Sequence, residues 1–345
     1  LLEHNALGGQ TDETAEMDLP RILVTRKLSI EPLAVLEPLL GKVNETFLLD
    51  AWDQEGPMPR ALLLEKVGNV DALVCSPGDK IDEELLARAP KLRVVSNHAV
   101  GIDNLDLERL TERGIVKTHT PDVLTDATAD LALGLLLAVA RHLPLGEKLV
   151  REGKFNGWSP RMLLGLELRG AKLGLFGFGR IGKAVAERAH AFGMEILYVA
   201  NSDAPAEVVA QLSAKRVAFP TLLERSDVIS LHSPLTPQTR HTFNRDAFAR
   251  MKKGALLINT ARGPIVDEEA LADSLEAGHL GGAGLDVHEF EPQVNARLAK
   301  MDRVLLLPHL GSATADTRER MATRALTDAA RVLRGDAPLH PIRSA

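Results

Sequence analysis

Short β-rich runs closed by polar or glycine-containing turns alternate with stretches of helical periodicity along most of the chain. In the first third, Ile22–Val24, Ala72–Cys75, Leu92–Ser96 and Ile115–Lys117 read as strands, with helices at Asp82–Ala89 and Leu105–Arg113 between them. This alternation predicts parallel pairing, because a parallel strand needs a long crossover and a helix is the simplest one. Asp122–Leu143 breaks the rhythm. It is an Ala- and Leu-rich helical stretch of about six turns, too apolar to stand in water, and is expected to pack between domains or subunits. Pro144 is expected to end it, and a loop-rich arm should follow through Gly153, Gly157, Pro160 and Gly165. Strand signals return at Lys172–Phe176, Glu195–Val199, Val228–Leu231, Ala255–Ile258, Gly282–Leu285 and Val304–Leu307. Ala313–Leu333 closes the pattern as one long helix, available to carry the chain back to its first segment.

A chain of 345 residues is long for one core and suits two domains of about 150 residues each. Hydrophobic residues at 45% and charged residues at 26% are ordinary for a globular protein and argue against wholesale disorder. The formal charge of −6 creates no net pull toward phosphate backbones or anionic membrane, so nucleic acid is not an expected partner. A single cysteine, Cys75, excludes an internal disulfide and a multi-thiolate metal centre, and no metal site is expected. The longest apolar run, Leu131–Ala140, is about half a membrane span, so no bilayer crossing is expected. Residues 1–16 are polar, aperiodic and unlike a secretory signal. They read as a disordered lead, and the expected location is the cytoplasm.

Candidate chemistry begins at Gly177-Phe178-Gly179-Arg180-Ile181-Gly182, which follows a strand and opens an amphipathic helix over Lys183–Phe192. In such a turn the first glycine allows the tight bend, the second lets amides approach a pyrophosphate, and the third lets helix and strand pack closely. The helix N-terminus adds the positive end of its dipole. Six strands around this turn match a doubly wound, Rossmann-like dinucleotide fold. The end of the second strand decides the ribose chemistry, and here it carries Ala200, Asn201 and Ser202 instead of an acid. A small neutral residue leaves room and donors for a 2′-phosphate, which tilts the cofactor toward NADP(H), with NAD(H) the alternative because Asp203 is near and no Arg sits in the turn.

Ligands of open α/β sheets bind beyond the carboxyl ends of the strands. Three side chains stand there: Arg262 after Ala255–Ile258, Glu291 after Gly282–Leu285, and His309 after Val304–Leu307. Singly, each would be an ordinary surface residue. Together, a guanidinium can grip a carboxylate with two parallel hydrogen bonds, while a histidine with a carboxylate partner keeps a proton available near neutrality. Beside a nicotinamide, that set describes reduction of a 2-keto acid.

These segments, with Asn97-His98-Ala99-Val100-Gly101-Ile102-Asp103-Asn104, Asn259–Gly263, Gly284–Pro292 and Pro308–Ser312, resemble the D-isomer-specific 2-hydroxyacid dehydrogenase family, particularly its glyoxylate/hydroxypyruvate reductases, over Pro20–Arg334. The resemblance implies two Rossmann-like doubly wound domains with an active-site cleft between them. A substrate domain would span 17–120 and 310–345, and a dinucleotide-binding domain 121–309. It implies that Arg262, Glu291 and His309 are catalytic, that the Val100 and Gly101 amides also anchor the substrate carboxylate, and that Asp286 lies near the nicotinamide amide. Ser233, Pro234, Thr260 and Gly311 would line the cofactor. It further implies a homodimer through the 122–142 helix and the 144–170 arm, with Trp158 reaching toward the neighbouring subunit's substrate. His288 departs from the phenylalanine often found at its place. Glu291 stands where related formate dehydrogenases carry glutamine, which argues against that chemistry.

The expected reaction is hydride transfer to C2 of a small 2-keto acid, with His309 as proton donor oriented by Glu291. Two other readings remain: a dinucleotide-sensing interaction protein of the corepressor kind, and a dehydrogenase for another 2-hydroxy acid or for phosphite.

Overall fold

Every pairing between the named strands is parallel, as the alternation of strand and helix predicts. The computed structural model describes residues 19–343, so the lead expected at residues 1–16 lies outside the described residues. The chain divides into two compact units. One takes in the chain up to Pro121 together with everything from Arg318; the other is the continuous stretch Asp122–Thr317.

In the first unit, β1 (Arg21–Val24), β2 (Leu48–Ala51), β3 (Ala72–Cys75), β4 (Val94–Asn97) and β5 (Val116–Thr118) form a sheet in the order β2-β1-β3-β4-β5. Successive residues of a strand point to opposite faces, so these strands feed two cores. Leu23, Leu73, Cys75 and Val95 pack on one side. Ile22, Val24, Ala72, Val74 and Val94 pack on the other, against Leu326, Ala329, Ala330 and Leu333 of the helix Ala315–Leu333. The last described residues then cross the β5 edge: Pro341 bridges Thr118 antiparallel, and Ile342 N–H donates to Lys117 O at 2.8 Å. The turn into this tail is held by Asp328, fully buried, which accepts from Leu339 N–H at 2.6 Å and from His340 Nδ1 at 2.9 Å.

The second unit holds β6 (Lys172–Phe176), β7 (Glu195–Val199), β8 (Lys215–Arg216), β9 (Val228–Leu231), β10 (Leu256–Asn259), β11 (Gly282–Leu285) and β12 (Val304–Leu306) in the order β12-β11-β10-β9-β6-β7-β8. The chain leaves β6 in one direction for β7 and β8, then restarts on its other side at β9. The crevice between β6 and β9 is therefore the switch point where doubly wound sheets take their ligands.

Two expectations about elements are corrected. The helical stretch expected over Asp122–Leu143 is two helices, Thr125–Ala140 and Leu143–Arg151, meeting at 63°. His142 between them is left-handed, with φ of 52°, and Pro144 lies in the first turn of the second helix, where an absent N–H loses no intrahelical bond. Proline opens a helix here instead of ending one, and the loops of the arm begin only after Arg151. The strands β2 and β8 were not expected at all, and β4, β5 and β10 sit one or two residues later than their apolar runs suggest. Among the described residues, no single helix is long and apolar enough to cross a membrane.

Burial, joined by the charge of Arg318, holds the His98 imidazole down at about 4 from an ordinary 6.5, against an opposing hydrogen bond with the Arg318 backbone. The unfolded chain therefore takes up a proton that the folded chain refuses. This stabilisation is complete above pH 6.5 and is lost as pH falls from there toward about 4. Moving from about pH 7 to about pH 5 should cost about 2 kcal/mol through this residue. Denaturant melts of a His98→Asn protein should show a correspondingly smaller drop between those conditions; an unchanged drop would remove His98 from the account.

Candidate active site

The loops that follow the strands of the second unit all emerge at one edge of its sheet, and most of the chemistry-bearing residues lie in them. At the switch point, Gly177 has φ of 104°, and a Cβ there would sit 2.6–2.7 Å from the His232 carbonyl group and 2.7 Å from the Ser233 nitrogen. A Cβ at Gly182 would meet the Gly177 carbonyl at 2.3 Å. Gly179 differs: it is exposed, and a Cβ there would meet nothing within 4 Å. It caps the helix Arg180–Ala191 with no side-chain hydrogen bond, so the first-turn amides face open space. A cradle closed beneath and open above, at a helix N-terminus, fits the pyrophosphate of a dinucleotide. Beneath it, burial drives the His232 imidazole down to about 3, and its Nε2 bonds Ser230 Oγ at 2.8 Å, so no charge develops under the turn.

Not every member of the turn can contribute its side chain. The Phe178 ring is buried and stacked on Tyr198, with centroids 4.0 Å apart, which leaves Phe178 only its backbone. Arg180 pairs with Asp122 at 2.5 Å, and Ile181 is half-buried against the core. Ser233 and Pro234 follow β9 directly. Thr260, just beyond β10, is buried, and its Oγ1 has no hydrogen-bond partner in the protein. A buried hydroxyl without a partner at a ligand edge is a donor awaiting one.

Arg262, Glu291 and His309 hang from β10, β11 and β12, three neighbouring strands. The Asn259 side chain shapes the first turn by accepting from Ala261 N–H and donating to Arg262 O, both at 3.0 Å. The next residue, Gly263, lies against the loop bearing Glu291: a Cβ on it would fall 1.9 Å from the His288 carbonyl oxygen. Glu291 Oε1 accepts the His288 amide at 3.0 Å, and Oε2 accepts His309 Nδ1 at 3.1 Å. Burial pushes the Glu291 carboxyl up, but the bond and charge of His309 with the His288 amide outweigh it, and the net shift is below the ordinary value. Glu291 is thus a carboxylate at neutral pH. Because it accepts at Nδ1, the other ring nitrogen of His309 is the one left for a ligand.

His309 is itself left-handed, with φ of 59°. The buried Asp286 holds it there. The Asp286 carbonyl accepts His309 N–H at 2.9 Å, and its carboxylate accepts Leu310 N–H at 2.6 Å and Gly311 N–H at 2.8 Å. Thr128 Oγ1 closes the loop from the helix Thr125–Ala140 by donating to Gly311 O at 3.0 Å. Asp286 and Gly311, expected to touch cofactor, are therefore already engaged with each other.

Sequence reasoning missed the brace under Glu291. Glu268 N–H donates to Glu289 Oε2 at 3.1 Å and Glu289 N–H to Glu268 Oε1 at 3.0 Å, while His241 Nε2 bonds Glu289 Oε1 at 2.7 Å. Burial raises the Glu268 carboxyl, while the Glu289 amide and the charge of His288 pull it down and the charge of Glu289 adds to the rise. His288 donates through Nε2 to Leu307 O at 3.0 Å. Two acids separated by 21 residues carry no sequence signal of a reciprocal clasp; only their fixed offsets from the ends of β10 and β11 could have suggested one.

The remaining predicted residues lie elsewhere. Ala200 is half-buried and Asn201 and Ser202 are exposed after β7, and Arg216 of β8, not anticipated, is bonded to that loop. Trp158 lies in the arm, 79% exposed. Val100 and Gly101 belong to the first unit, where their carbonyls accept from His119 Nδ1 at 3.2 Å and Asn97 Nδ2 at 2.8 Å.

Comparison with known proteins supplies the family. Residues 133–311 match the family model described as D-isomer specific 2-hydroxyacid dehydrogenase, NAD binding domain. The chain is 45% identical over 323 residues to a glyoxylate reductase of Thermococcus litoralis, covering 92% of this chain and 95% of that protein. A Pyrococcus horikoshii glyoxylate reductase is 44% identical over the same length, covering 92% and 94%. Among solved structures, a protein from Thermus thermophilus superposes with a TM-score of 0.85 at 44% identity, covering 94% of this chain and all of that one. An NADPH-dependent glyoxylate/hydroxypyruvate reductase from Sinorhizobium meliloti, in complex with NADP and malonate, gives 0.80 at 35% identity, covering 94% and 99%. The chain belongs to the D-isomer specific 2-hydroxyacid dehydrogenase family. It is an oxidoreductase that uses a nicotinamide dinucleotide to reduce a keto acid.

Replacing Asp286 by Asn would set a donor NH2 against the amides of Leu310 and Gly311. Asp286→Asn should lower stability by about 1–3 kcal/mol in a denaturant melt. Parental stability would show that the loop does not depend on this carboxylate.

Proposed function

We propose that the chain reduces a small 2-keto acid of the glyoxylate and hydroxypyruvate class to the D-2-hydroxy acid, with NADP(H) preferred over NAD(H). The observation that carries this reading is the Glu291–His309 pair, 3.1 Å apart and suspended beside the turn that bears Arg262. The names of the relatives support the substrate class, and the absence of an acid at Ala200 supports the cofactor.

Bound in the glycine cradle, NADPH supplies the hydride for C2. Arg262 grips the substrate carboxylate through its planar fork. His309 gives a proton from Nε2 to the oxygen that becomes the hydroxyl, while its Nδ1–H stays on Glu291. The carboxylate fixes the ring orientation. In the opposite direction the neutral ring takes the proton back. Thr260 Oγ1 and the backbone from Gly177 to Ile181 are assigned to the dinucleotide.

His309→Ala should cut turnover by about 10²- to 10⁴-fold while dinucleotide affinity, read by calorimetry, stays unchanged. Retained turnover would remove His309 from the mechanism. A screen of both reduced cofactors against glyoxylate, hydroxypyruvate, pyruvate and phenylpyruvate, followed by nicotinamide absorbance, should give the highest kcat/KM for one of the first two with NADPH; a preference for phenylpyruvate would overturn the substrate class.

We also infer a homodimer through the helix Thr125–Ala140 and the arm over 144–170. The support is a run of large apolar side chains left in water along the arm and just before it: Leu143, Val150, Phe155, Trp158 and Leu164 are between 48% and 79% exposed. Sedimentation equilibrium should return twice the 37.3 kDa chain mass, and a monomer across the micromolar range would refute the assignment.

A further inference from the structure

The loop after β7 lies where a doubly wound fold presents the adenosine ribose, and its own residues supply no cation. Ala200, Asn201 and Ser202 are neutral, and the first charge is the acid Asp203. A cation reaches the loop from the next strand. Arg216 stands opposite Tyr198 in the β7–β8 ladder, its Nη2 donates to Ala200 O at 2.7 Å, and its Nη1 is paired with Asp203. The Asp203 side chain is 88% exposed and that of Arg216 42% exposed.

We infer that Arg216 is the residue through which this chain recognises the 2′-phosphate of NADP(H), with Asp203 holding the guanidinium in place until that phosphate arrives. The inference deepens the cofactor reading above and rests on it. Three features carry it. Arg216 is attached to the loop by a backbone acceptor, Ala200 O, so it keeps one anchor when its other partner leaves. Its second partner is an ion pair open to solvent, which is weak and readily exchanged. A phosphate monoester carries close to two negative charges and accepts a guanidinium fork with two parallel bonds, so it outcompetes one exposed carboxylate. The Ala200 methyl places no carboxylate where it would repel the phosphate or take the ribose hydroxyls.

Isothermal titration calorimetry with NADP+ and NAD+ on the parent, Arg216→Ala and Asp203→Asn proteins tests this without turnover. The Arg216→Ala change should lower the ratio of NADP+ to NAD+ affinity by about 10- to 100-fold, and Asp203→Asn should raise it. The fragments 2′,5′-ADP and 5′-AMP should follow NADP+ and NAD+ respectively. Both side chains are on the surface, so the variants should melt as the parent does. An unchanged ratio in Arg216→Ala, or equal loss of both dinucleotides, would overturn the role of Arg216; an unchanged ratio in Asp203→Asn would overturn the place-holder. A parent that binds NAD+ more tightly would refute the cofactor preference alone, since a fall in the ratio for Arg216→Ala would still assign the phosphate contact.

Discussion

A carboxylate with no access to water, Asp286, is the fixed point from which the rest of the site hangs. An isolated buried charge is among the costliest things a protein can contain, and it is tolerated only when every lone pair is used. Burial raises the Asp286 carboxyl, and the amides of Leu310 and Gly311, with the charge of His309, pull against that rise. The same residue extends the ladder between strands, since its own amide donates to Asn259 O at 2.9 Å. One residue, by its amide on one side and its carboxylate on the other, thus ties the ends of β10, β11 and β12 together. The strained left-handed backbone of His309 is a local cost that this clasp makes sustainable.

Around that point the site is built chiefly from backbone rather than side-chain packing. Gly263 lets the Arg262 turn lie directly on the His288 carbonyl, and Gly177 does the same against His232. Any side chain at either position would force the two loops apart. The Glu268–Glu289 clasp works in the same sense, each acid satisfying the other's amide. The consequence for chemistry is that Glu291 and His309 meet by virtue of where their strands end, so orientation is settled before any substrate arrives.

The fold class was legible because parallel strands buried on both faces leave continuous apolar runs, and β3, β6, β7, β9 and β11 coincide with theirs to the residue. β2 and β8 were invisible for a shared reason. The sequence Leu48-Leu-Asp-Ala is short and interrupted by Asp50 and Lys215-Arg216 is wholly charged, and both are edge strands with one unpaired side, where charge is an advantage. The break at Arg141–His142 was hidden because nothing in an alanine- and leucine-rich stretch marks a left-handed residue. At the site, Arg262, Glu291 and His309 could be read from their offsets to strand ends. The supporting groups, Asn259, Thr128, Glu268 and Glu289, could not, since each acts through a backbone contact that no local pattern announces. Arg216 was overlooked because it reaches the loop after β7 across a ladder and not along the chain.

The nesting of the second unit inside the first has a bearing on biosynthesis. Residues 19–121 leave the ribosome before the inserted unit, yet Ile22, Val24 and Phe47 bury themselves against Leu326, Ala329 and Leu333, which are made after it. The β5 edge likewise stays open until Pro341 and Ile342 emerge. The inserted unit is one continuous stretch and can complete its sheet during translation. The segment made before the insertion must wait with an apolar face uncovered, which exposes the nascent polypeptide to aggregation there, and a ribosome that stalls late strands that segment half-finished.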